Sequence, residues 1–94
     1  MTAKIKITER LESDLFGQYK GIYLSSESRL VEGHSEVIDK IPRCNLSKMD
    51  VVYVNSSAIK SNFEVGSILE CNCIPYIYAL NPEKGIILTI TRIL

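Results

Sequence analysis

Ile68-Leu69-Glu70-Cys71-Asn72-Cys73-Ile74-Pro75-Tyr76-Ile77-Tyr78-Ala79 keeps a two-residue rhythm along its length. Leu69, Cys71, Cys73, Ile77 and Ala79 fall on one side of an extended chain, and Glu70, Asn72, Ile74, Tyr76 and Tyr78 on the other. Neighbouring strand side chains point to opposite faces, so the first set is the expected core face and the second the expected outer face. The outer set starts polar and ends apolar and aromatic. Pro75 interrupts the segment, because proline has no N–H to give to a ladder.

The same period appears on both sides of this stretch. Ala3-Lys4-Ile5-Lys6-Ile7-Thr8 alternates apolar with polar residues, which predicts a half-buried strand. Gln18-Tyr19-Lys20-Gly21-Ile22-Tyr23-Leu24 reads as a second strand, with Tyr19 and Tyr23 on one side and Lys20, Ile22 and Leu24 on the other. Gly21 in its middle marks a bulge or a close backbone approach. Arg29-Leu30-Val31-Glu32 and Ser35-Glu36-Val37-Ile38 flank Gly33-His34 and read either as a hairpin or as one bent strand. Met49-Asp50-Val51-Val52-Tyr53-Val54 is a further strand, followed by a loop or single helical turn over residues 55–61. Asn81-Pro82-Glu83-Lys84-Gly85 is a turn, and residues 85–93 form the last strand. No stretch of a dozen residues carries a 3.6 period.

Five to seven short strands in 94 residues predict one all-β domain over residues 1–94. The expected form is a small closed or partly open Greek-key or oligonucleotide-binding-type barrel, since an open sheet of this size would expose apolar edges. A compact β-sandwich is the alternative.

Composition narrows the function. Eleven basic residues balance eleven acidic ones, and hydrophobic residues make up 46% of the chain, so neither a chain-wide basic field nor intrinsic disorder is expected. No apolar run reaches the roughly 18 residues of a membrane span, and the charged, alternating start differs from a signal peptide. Three cysteines, an odd number, suit a reducing compartment. The expected location is therefore intracellular, away from membranes.

Catalytic and metal chemistry find little support. His34 is the one histidine, beside Gly33 in a turn, far in sequence from each cysteine. Cys71 and Cys73 share a strand face with Leu69 and read as small core residues, with no metal and no cofactor expected. No phosphate loop or dinucleotide fingerprint is present.

What remains is outward aromatic and apolar surface. Five tyrosines against two phenylalanines and no tryptophan favour rings with one wet end. Three readings stay open. Tyr19, Tyr23, Tyr76 and Tyr78 could stack bases of single-stranded nucleic acid, with Lys4, Lys6, Lys20 and Arg92 on the phosphates. They could instead belong to a protein interface or oligomer contact with Ile74, Ile87, Thr89, Thr91 and Ile93, the last strand being an uncovered edge. Or they are ordinary barrel residues.

Lys4-Ile5-Lys6-Ile7, Gly17-Gln18-Tyr19-Lys20, Val65-Gly66-Ser67-Ile68 and Gly85-Ile86-Ile87-Leu88 follow one another along the chain. This layout resembles the small barrel-forming single-strand DNA-binding proteins of filamentous phages. Those have an alternating Lys/Ile opening strand, a Gly-x-Tyr ribbon and a closing Leu-rich strand. Small telomere- or replication-associated barrel subunits look similar. The resemblance implies a non-catalytic module that binds single-stranded DNA or sits in a complex that does. An adaptor docking a partner protein is the other expectation. The chain departs from the phage proteins in its balance of acid and base.

Overall fold

The computed structural model describes residues 1–12, 17–33, 43–56, 59, 62–77 and 85–94. Seven strands lie among them: β1 (Thr2–Arg10), β2 (Tyr19–Tyr23), β3 (Arg29–Glu32), β4 (Arg43–Leu46), β5 (Val51–Asn55), β6 (Ile68–Ile77) and β7 (Ile86–Ile93). Five of them close a barrel in the order β1-β2-β5-β7-β6, and β3 pairs with β4 in a separate sheet. Every ladder is antiparallel except the parallel β5–β7 pair. β6 returns to lie beside β1, and β2 and β5 follow in turn, which is a Greek key. The chain is thus an all-β barrel rather than a sandwich.

The two-residue period puts the core together. Ala3, Ile5 and Ile7 of β1 are buried, while Thr2, Lys4, Lys6 and Thr8 stand outside. Val52 and Val54 of β5, Cys71, Cys73 and Ile77 of β6, and Ile86, Leu88 and Ile90 of β7 complete the interior. A five-stranded barrel has room for side chains only, and these fill it. Pro75 sits inside β6 without loss. The Cys73 N–H donates to Met1 O at 2.8 Å, so the nitrogen of Pro75, two residues on, faces the same side, beyond the start of β1.

Each end of the barrel has its own cover. At one end, Ser56, Ile59 and Phe63 close the opening. The Ser56 hydroxyl donates to Gln18 Oε1. The Phe63 N–H donates to the Tyr19 hydroxyl at 3.0 Å, and the two rings meet with centroids 5.4 Å apart. Ile59 and Phe63 pack on the core from there. At the other end the β3–β4 hairpin contributes Val31 and Leu46 to the same core. Tyr23 exchanges backbone bonds with the turn before β5, receiving from Met49 N–H at 2.7 Å and donating its own N–H to Asp50 O at 2.9 Å.

Several expectations are corrected here. Tyr19 and Tyr23 point inward, at 1% and 0% exposure, and are core residues instead of an outer stacking pair. Gly21 between them is the reason. A Cβ there would sit 2.7 Å from Lys6 O, so the β1 backbone lies hard against β2 at the position between the two rings. β7 is no open edge, because β5 and β6 pair with it on either side. β3 pairs with residues 43–46; the expected partner, 35–38, lies outside the described residues, as do His34 and Tyr78.

None of the cysteines is in a disulfide; Cys71 and Cys73 are buried, and Cys44 is exposed on β4. A hydrogen bond to the Cys73 sulfur, then burial, pushes the Cys71 thiol up. Partial burial, then the Asp50 carboxylate, raises Cys44 as well. The thiolate is the reactive form. The hydrogen bond with Cys71 draws Cys73 down, but burial shields both β6 thiols, so a thiol reagent should label one site per native chain, Cys44, at a rate that climbs as the pH is raised, and all three in denaturant. Rapid native labelling of three sites, read by mass spectrometry, would contradict this packing.

Candidate functional site

Four outward side chains line up across the barrel wall. Lys20 of β2 is in register with Tyr53 of β5, Tyr53 with Ile87 of β7, and Ile87 with Tyr76 of β6. The alternation dictates this row: Val52 and Val54 take the inside of β5, which leaves Tyr53 outside, and Ile86 and Leu88 do the same for Ile87. Neighbouring strands are about 4.8 Å apart, so the rings of Tyr53 and Tyr76 are rooted roughly 10 Å apart with Ile87 between. Both tyrosines are half-buried. Ile87, expected to be outward and open, is only 9% exposed. It faces outward by parity but sits between two aromatic neighbours.

Two further rows border the first. Lys6, Ile22 and Val51 run across β1, β2 and β5 on one side. Asn55, Thr89 and Ile74 run across β5, β7 and β6 on the other. Val51 and Ile74 are 55% and 60% exposed, so the face has apolar borders. Thr89 is half-buried, and Thr91 and Ile93 are exposed further along β7. The Thr91 hydroxyl donates to Asn72 O at 3.2 Å.

The basic residues divide. Lys4 and Lys6 are exposed on the outer side of β1, and Lys20 is half-buried on β2. Among the described residues none of the three has an ion pair. Their registered acidic neighbours are Glu70 beside Lys4 and Glu9 beside Lys20. Arg92 stands apart. It is in register with Asn72, five positions beyond Ile87, about 17 Å along β7.

Compared with protein-family models, curated proteins and solved structures, the chain matches none.

Of the described rings that the sequence reading selects, Tyr76 is on this outer row and Tyr19 and Tyr23 are in the core. The reading passes over Tyr53, although a signal for it exists. Tyr53 lies between two valines in the most regular apolar run of the chain, and alternation must put it opposite them. The arrangement is chemically simple: two aromatic faces, an aliphatic bridge and a lysine, on rigid sheet. Among the described residues no group of three histidine, cysteine or acidic side chains is placed to hold a metal. No helix there is long and apolar enough to cross a membrane.

Proposed function

We propose that this chain is a non-catalytic binding module of the oligonucleotide-binding type, taking single-stranded DNA across its outer wall, alone or as a subunit of a larger complex. The row Lys20–Tyr53–Ile87–Tyr76 carries this reading. In barrels of that type the face of the second and third barrel strands binds oligonucleotides. Here those strands are β2 and β5, the ones that bear Lys20 and Tyr53. Bases stack on aromatic rings whatever their identity, while lysines along the sheet neutralise phosphates. Lys4 and Lys6 extend the cationic track along β1. Unpaired thiols suit a reducing, intracellular setting.

Tyr53→Ala should weaken binding of a single-stranded oligonucleotide by roughly 1–3 kcal/mol and leave the salt dependence unchanged. Lys20→Gln should instead flatten the slope of log affinity against log salt by about 0.7. Fluorescence anisotropy over a salt series measures both. Absence of binding at low salt would overturn the reading.

A second reading rests on the apolar borders. Val51 and Ile74, each more than half exposed, suit docking of a protein chain. On that reading Ile74→Ser breaks a protein complex and leaves weak oligonucleotide affinity as it was.

A further inference from the structure

A groove of about 560 Å³ opens at the barrel end where β1 begins, away from the tyrosine row. Lys4, Arg29 and Lys48 line it against one carboxylate, Glu27. These cations come from three separate segments, and hydrogen bonds hold each segment in place. The Lys4 N–H donates to Ser25 Oγ at 2.9 Å, and the Leu24 N–H donates to Lys4 O at 2.7 Å. The Tyr23 hydroxyl donates to Glu27 O at 3.2 Å, which fixes the loop between β2 and β3. Lys48 stands in a tight turn. The Asp50 N–H donates to Ser47 O at 3.0 Å, and Asp50 Oδ2 accepts from the Ser47 N–H at 2.8 Å. Met49, next in the chain, takes a left-handed backbone at φ 75°.

We propose that this groove is a site for a terminal phosphate, the phosphate monoester at the end of a nucleic-acid strand or on a free mononucleotide. Counted over the lining residues, with Glu70 beside Lys4 outside them, the excess of two positive charges matches a monoester, which carries about −1.5 to −2 near neutral pH. An internal phosphodiester carries only one charge. Arg29 meets Glu27 through one nitrogen at 3.4 Å, with the Glu27 side chain 77% and the Arg29 side chain 44% exposed, a weak contact that an incoming phosphate can replace. The volume falls within the usual range for small-ligand sites, so a ribose fits beside the phosphate. Lys4 also belongs to the cationic track along β1, so a strand lying on that track would reach the groove with its end. The strand form of this inference rests on the function proposed above; the mononucleotide form stands without it.

The test uses one oligonucleotide sequence in three forms, with a 5′-phosphate, with a 3′-phosphate and with hydroxyls at both ends, and separately a mononucleotide and inorganic phosphate. At about 150 mM salt, one phosphorylated form should bind roughly tenfold more tightly than the hydroxyl form. The mononucleotide should compete for that difference, and the Lys4→Gln/Lys48→Gln variant should abolish it. Lys48→Gln alone, on an exposed turn, serves if the double variant loses its circular dichroism spectrum. Equal affinity for all three forms overturns the groove and leaves strand binding intact. Mononucleotide binding that the variants remove, with no oligonucleotide binding, supports the groove and overturns strand binding. No binding of any probe overturns both.

Discussion

Tyr19→Ala should lower the free energy of unfolding by about 3–5 kcal/mol, the range for deleting a large buried aromatic. The ring is 1% exposed and packs on Phe63, and its hydroxyl accepts the Phe63 N–H. Truncation therefore leaves a cavity, detaches the segment that covers one end of the barrel and strands a backbone donor. Tyr19→Phe separates these effects. It keeps the packing but removes the acceptor, at about 1–3 kcal/mol if the Phe63 N–H finds no other partner. Denaturant titration measures both. A Tyr19→Ala protein of near-native stability that fails to bind oligonucleotide would mean that the ring works on the surface.

The second large effect lies where the β1 backbone closes on Gly21 of β2. Gly21→Val should destabilise the fold by on the order of 3 kcal/mol, with Gly21→Ala smaller but still clear. A Cβ there meets Lys6 O at 2.7 Å and Ile5 Cγ2 at 3.0 Å. The carbonyl belongs to the ladder and cannot swing aside as a flexible side chain would. Gly66→Ala is the matched control. Its φ is 94°, but nothing lies within 4 Å of the added carbon, so the cost there is conformational only. If Gly21→Val were no worse than Gly66→Ala by thermal melting, the close approach would not be what shapes this wall.

The two tyrosines of β2 show what periodicity can and cannot tell. Alternation correctly grouped Tyr19 with Tyr23 and set Lys20 and Ile22 opposite, but a period of two does not say which group is inside. In β1 and β6 the lysines and the glutamate settle the question, since they cannot be buried unpaired. β2 offers a lysine on one face and hydroxyls on the other, and both look wet. The deciding contact, the β1 backbone against Gly21, is long-range. Ile87 teaches a related lesson: parity gave its direction correctly, while its burial depends on neighbours from β5 and β6 that no local pattern reveals. β7 was misread for the same reason. Its place between β5 and β6 follows from a parallel pairing 34 positions apart, Tyr53 with Ile87, and nothing near either residue announces it. Tyr53 is legible from the same alternation, because Val52 and Val54 on either side of it take the inside.

The position of β7 has a consequence for folding. It follows the other described strands in the chain, yet it fills the gap between β5 and β6. A chain without β7 in place can pair β1 with β2, β2 with β5, and β6 with β1, and still shows two bare strand edges and an open core. Such a chain resembles a clasp with its pin missing. Unpaired edges recruit other chains, so a chain in which β7 is missing or not yet seated is prone to associate with its neighbours. With most contacts long-range, final closure belongs to the slow, millisecond-to-second class of β-topologies, and the window for misassociation opens late and shuts with the last strand.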